Sequence, residues 1–210
     1  MQADRPFSIF APTYSYSGFV HTTTAANVVG RYTRLPTLVG GASAIAFVTH
    51  NWNPGGVGGT YHDHRIGLER FGSDWYIRDE DAAVDMPIGV SFNVVVAPFF
   101  ASANAWQVFA PSAATRIVLS HPLLDDNPCA APQATRVDDP LTAAIVDDDI
   151  PFALSYAPGY GGAPGHWSIV ASGSASTTFP AGAGFNVMVP GAHAGACRAD
   201  DRIFADGLDP

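Results

Sequence analysis

The chain has 210 residues, 47% of them apolar, and a formal net charge of −9 with all ten basic residues arginine. That apolar fraction supplies a core and excludes wholesale disorder, and the acidic balance repels phosphate backbones and disfavours nucleic acid as a partner. No run of about 20 apolar residues is present, so no membrane-spanning helix is expected.

Twenty-one glycines and 17 prolines punctuate the chain with turns, and no amphipathic helical pattern persists. The expected class is all-β. The opening Met1-Gln2-Ala3-Asp4-Arg5 lacks the basic-then-apolar pattern of a secretion leader. Residues 1–17 read as a lead-in, 18–97 as a first β unit, 103–190 as a second and 191–210 as a tail.

The two-unit reading rests on an internal repeat. Trp75-x-Ile77 followed by Pro87-x-Gly89-x-x-Phe92-Asn93-Val94 recurs as Trp167-x-Ile169 followed by Pro180-x-Gly182-x-x-Phe185-Asn186-Val187. A second block, Leu35 to Pro54, aligns without gaps on His121 to Pro140. Alternation in Trp75 and Ile77, and again in Val90, Phe92 and Val94, gives each strand one apolar face. Proline fixes φ and glycine permits positive φ, so Pro-x-Gly turns the chain into its next strand. Ile45 to Thr49 and Arg116 to Leu119 read as further strands. Short strands at this spacing predict a sandwich or barrel, with two tandem copies tightly packed.

In the first unit Asn51-Trp52-Asn53-Pro54-Gly55-Gly56 supports two readings. Trp52 and Tyr61, flanked by Asn51 and Asn53, would suit a sugar ring, with an aromatic face to stack on and amides for hydroxyls. Alternatively the asparagines bond their own backbone and Trp52 plugs the core. Gly56-x5-His62-x-His64-x4-Glu69 follows. On a strand His62 and His64 would share a face, and imidazoles with a carboxylate are natural transition-metal ligands. Arg31, Arg34, Arg65, Arg70 and Arg78 read as a solvated basic face. In the second unit Asp147, Asp148 and Asp149 are hard oxygen donors of the kind that hold calcium, and Asp125-Asp126 and Asp138-Asp139 are further acidic turns.

Cys129 and Cys197 do not fit a zinc motif. As a disulfide they would close a loop worth about 4 kcal/mol and place the protein outside the cytosol. No Gly-x-Ser-x-Gly nucleophile elbow is present, and composition alone identifies neither a catalytic triad nor a paired-carboxylate glycosidase.

Three resemblances follow from these residues. His21-Thr22-Thr23-Thr24-Ala25-Ala26-Asn27, Phe47 to Tyr61 and Pro87 to Val94 resemble an uncharacterised bacterial family, a domain of unknown function usually found in exported proteins. That resemblance implies export and repetition and supplies no activity. The tail from Cys197 to Asp209 is similar to tails of exported proteobacterial proteins, which again implies a secreted, periplasmic or cell-surface location. Gly56, His62, His64 and Glu69 are similar to the first cupin motif, but Phe92 stands where the second motif would supply its histidine. The leading expectation is an exported, non-catalytic β module that binds a carbohydrate or a surface protein through the Trp52 loop. The alternatives are a cupin-like metal enzyme using His62, His64 and Glu69, and a structural unit of a surface assembly.

Overall fold

The computed structural model describes residues 17–38, 41–56, 58–97, 104–138, 146 and 148–189. The first unit supplies β1 (Ser17–Thr22), β2 (Val28–Val29), β3 (Tyr32–Arg34), β4 (Ile45–His50), β5 (Ile66–Phe71), β6 (Asp74–Asp79) and β7 (Ser91–Ala97). The second supplies β8 (Ala105–Phe109), β9 (Arg116–Leu119), β10 (Gln133–Asp138), β11 (Phe152–Ala157), β12 (His166–Ala171) and β13 (Gly184–Met188). Two short 3₁₀ turns, Gly41–Ser43 and Pro54–Gly56, complete the regular structure.

The strands form three sheets, ordered β1-β7-β4, β2-β3-β6-β5-β10-β13-β8 and β11-β12-β9. Each unit is a two-layer sandwich. In the first, Ala46, Val48, Phe92 and Val94 of the β1-β7-β4 sheet meet Leu68, Trp75 and Ile77 of β5 and β6. In the second, Phe185 and Val187 of β13 meet Ile117, Leu119, Trp167 and Ile169 of β9 and β12. Full burial of such a side chain stabilises by about 1.5–3 kcal/mol. The seven-stranded sheet crosses the boundary between the units: β5 pairs in parallel with β10, Leu68 opposite Val137 and Glu69 opposite Asp138. A separate cluster of Phe47, Ala97, Ala105 and Met188 seals the units back to back.

The duplication is visible in the ladders. Asn93 lies opposite Thr49, and Asn186 opposite Thr135. Leu68 lies opposite Ile77, and Leu154 opposite Ile169. Both tryptophans are buried, and their indoles donate to equivalent carbonyls, Trp75 to Gly41 at 3.1 Å and Trp167 to Asn127 at 2.8 Å. Gly89 and Gly182 each have φ of 88°, the left-handed conformation that the Pro-x-Gly turns require. The gapless alignment fails at its first residue. Leu35 donates its N–H to the Trp75 carbonyl, and Leu119, not His121, stands opposite Trp167. Two extra residues therefore enter the second copy before Pro122.

The basic face is also corrected. Arg34 is exposed and pairs with Asp74 at 2.8 Å. Arg70 and Arg78, however, are buried. Arg70 lies 5.9 Å from the Trp75 ring, where its guanidinium is attracted to the aromatic face. Arg78 is compensated by carboxylates, as described below.

Candidate ligand-binding groove

A groove of about 580 Å³ opens where the units meet, with walls that include Val48, His50, Trp52, Tyr61 and His64 on one side and Arg136, Asp148, Ile150 and Phe152 on the other. Its volume suits a small ligand. The loop after β4 shapes one rim. Asn51 donates from Nδ2 to Asn93 Oδ1 at 2.9 Å and accepts the Asn53 N–H at 3.1 Å. Asn53 Oδ1 in turn accepts the Gly58 N–H at 2.6 Å. The asparagines thus brace the loop, as in the turn reading.

Trp52 does not plug the core. It is 51% exposed, and Tyr61 is 69% exposed, with the two ring centres 5.7 Å apart. The Trp52 indole donates to the His62 carbonyl at 3.3 Å, which fixes the ring's orientation. Beneath it His50 stacks at 5.4 Å with planes 9° apart, and His50 in turn lies 5.5 Å from the core ring of Phe92. Burial, reinforced by His62, pushes the His50 imidazole down from 6.5 to about 4, so it is neutral at physiological pH.

His62 and His64 lie in irregular chain rather than on a strand, yet their rings stack 5.3 Å apart. His62 is buried, with Nε2 2.9 Å from Asp79 Oδ2. Burial lowers the His62 pKa despite that carboxylate, and burial raises the Asp79 pKa. Glu69 does not complete a triad with these histidines. It sits in the β5–β10 seam, where Arg78 Nη1 donates to it at 3.1 Å.

That seam is a buried charge cluster. Arg78 also donates to Glu80 at 2.8 Å and to the Val146 carbonyl at 3.2 Å, and pairs with Asp138. Burial raises the Glu80 and Asp138 carboxyl pKa values, while Arg78 holds them down. Arg78 itself is held more firmly protonated by Glu80 and Asp138, against its own burial. Next to it Arg136 pairs with Asp148 and lies 4.9 Å from the Phe185 ring.

The proposed calcium ligands are engaged elsewhere. Asp148 is held by Arg136, and Asp149 is gripped by Arg65 through Nε at 2.6 Å and Nη2 at 2.5 Å. Asp147 lies outside the described residues. Among the described residues, no group of three His, Cys, Asp or Glu side chains is arranged to hold a metal ion. Asp125 and Asp126 brace a turn, contacting His166 at 3.1 Å and the Gly165 N–H at 2.6 Å. The Cys129–Cys197 pairing cannot be placed, because Cys197 lies outside the described residues, as do 1–16 and 190–210. Among the described residues no helix is long and apolar enough to cross a membrane.

Sequence reasoning passed over His50, Asp79 and Arg136. For His50 and Arg136 alignment of the copies was the available signal, since His50 falls on Arg136 and His62 on Asp148, and within each copy the two residues meet, His50 with His62 and Arg136 with Asp148.

The sequence model of a family described as a domain of unknown function (DUF7452) matches residues 1–96 and again 73–189. No curated protein matches the chain, and no solved structure does either.

Proposed function

The chain belongs to this family of unknown function, and from that premise we propose that it is an exported binding module whose groove takes a neutral carbohydrate. The observation that carries this reading is the Trp52–Tyr61 pair, two exposed aromatic rings fixed at the mouth of a groove. Solvent-facing aromatic rings are costly to leave bare and suit the apolar face of a sugar. The charges nearby argue against an anionic ligand, because the cations are already engaged. Arg65 is held by Asp149 and Arg136 by Asp148, and His50 is neutral. The module binds without catalysing. His62 and Asp79 are both buried and are not part of the groove lining. His64 and Asp63, which do line it, lie 3.9 Å apart, too far for a hydrogen bond that would poise an acid–base pair. In an exported protein Cys129 and Cys197 would pair as a disulfide that ties the second unit to the tail.

The test is a soluble-oligosaccharide panel read by tryptophan fluorescence and calorimetry. A binder should shift the Trp52 emission, and Trp52→Ala and Tyr61→Ala should each weaken it about tenfold or more. Tight binding that survives both substitutions would overturn the assignment of the groove.

A further inference from the structure

β11 is the counterpart of β5, 86 residues later, but the two strands have different neighbours. In an antiparallel ladder, residues that exchange hydrogen bonds with the partner strand alternate with residues that face away from it. The Glu80 N–H donates to Arg65 C=O at 2.9 Å, so Gly67 and Glu69 bond β6 and the backbone of Leu68 faces outward. There it meets β10. The Ser172 N–H donates likewise to Pro151 C=O at 2.7 Å, which turns the backbone groups of Phe152, Leu154 and Tyr156 outward. β11 ends its sheet, and among the described residues no strand meets that edge.

Burial reflects the difference. Gly67, Leu68, Glu69 and Arg70 are all buried, whereas Ala153 and Ser155 are exposed and Leu154 and Tyr156 only half-buried. Phe152, Leu154 and Tyr156 lie at the margin of the second core with apolar surface still in water. Proteins usually blunt open edges with charge, proline, short length or a cover. β4 has such a cover: its Val48 N–H donates to Thr135 Oγ1 at 3.3 Å, and Asn186 Nδ2 donates to its Ala46 carbonyl at 2.7 Å. β2 is two residues long and β9 carries an exposed Arg116. β11, Phe-Ala-Leu-Ser-Tyr-Ala, has no charge and no proline. The edge strands β1 and β8 also lack Asp, Glu, Lys, Arg and proline, but of these three only β11 has a counterpart, β5, whose same flank is covered by a strand.

We infer that a second copy of the chain covers this edge, the two β11 strands pairing antiparallel about a twofold axis. The strand types that could fill the position by analogy are already engaged in every copy, β10 by β5 and β4 by its side-chain caps. An isologous contact needs only one patch, and the β11 edge is complementary to itself. With Leu154 on the axis, its N–H and C=O bond those of its twin, and Phe152 falls opposite Tyr156 of the second copy. Two three-stranded sheets become one of six, and the half-exposed apolar side chains cover one another.

Sedimentation equilibrium of the full chain over a wide concentration range tests this, with Leu154→Lys, the double variant Ala153→Lys/Ser155→Lys and Ser155→Thr. The native chain should dimerise. Leu154→Lys and the double variant should raise the dimer dissociation constant about tenfold or more, because like charges meet across the axis, and Ser155→Thr should leave it unchanged. The double variant changes only exposed side chains, so it decides the matter if Leu154→Lys fails to fold. A native chain that stays monomeric throughout, or a dimer that withstands the double variant, would overturn the inference.

Discussion

His50 and Arg136 occupy the same position in the two copies, opposite Phe92 and Phe185 on the neighbouring strand. His50 meets His62 ring to ring at 5.7 Å, whereas Arg136 meets Asp148, the residue aligned with His62, as an ion pair. One backbone frame thus carries an aromatic pair at this position in the first copy and an ion pair in the second. The flanks differ in the same way. Arg78 of the first copy aligns with Val170 of the second, and Glu69 with Ser155. The copies keep the same residues where each packs its own core, at Trp75 and Trp167 or Phe92 and Phe185. They differ where they face each other, and that difference creates both the groove and the seam.

The sharpest way to break this comparison is at Arg78. Arg78→Ala would leave Glu69, Glu80 and Asp138 buried around an absent cation, at a cost of about 3–5 kcal/mol. Val170→Ala, at the aligned position, should cost only about 1 kcal/mol. Denaturant midpoints measure both, and equal losses would show that the seam charges play no special part. Next in size, Leu68→Ala should cost about 3 kcal/mol, because Leu68 is fully buried in the first core on a strand flanked by β10. The half-buried Leu154→Ala should cost about 1 kcal/mol in the monomer. Similar values for the two leucines would mean that β10 does not cover β5 as described.

A smaller effect depends on pH. The folded His50 pKa of about 4 lies below the unfolded value of 6.5, so between those values the unfolded chain binds more protons. The contribution of His50 is fully present above pH 6.5 and fades as pH falls toward 4. Arg136, its counterpart, does not titrate in that window. The thermal midpoint of the native chain should therefore fall relative to that of His50→Phe as the pH drops from 6.5 toward 4, and a constant difference between them would refute a buried, neutral His50. The smallest expected effect is at Tyr61. Tyr61→Ala should change stability by no more than about 0.5 kcal/mol, since its ring is exposed, and a larger loss would assign it to the fold rather than to the groove.

Much of the fold was legible in the sequence because strand alternation and Pro-x-Gly turns are local signals, and because duplication states each of them twice. Trp75 and Trp167 were read as equivalent, and their matched indole bonds bear that out. The Leu35 mismatch arose because a two-residue insertion beside similar prolines leaves no local trace. The site was less legible. Trp52 and Tyr61 were both singled out with Asn51 and Asn53, and their rings lie 5.7 Å apart, but whether Trp52 faces in or out depends on tertiary packing beneath it, namely His50 on Phe92. Glu69 was drawn toward His62 and His64 by spacing alone. The partner that holds it, Arg78, lies on the next strand, and the reason for its burial, β10, comes from the other copy. Arg70 and Arg78 were read as solvated because charge runs on isolated strands usually are, whereas Arg70 lies over the Trp75 ring and Arg78 pairs with Asp138 of β10 across the seam.

Amide hydrogen exchange at Leu68 and Leu154, followed from dilute to concentrated protein, compares the covered flank with its open twin most directly. Leu68 should be strongly protected at every concentration, and Leu154 should exchange freely when dilute and slow as concentration rises. Equal protection of both amides in dilute protein, or fast exchange at Leu68, would contradict the picture of one module built twice with only its first flank closed.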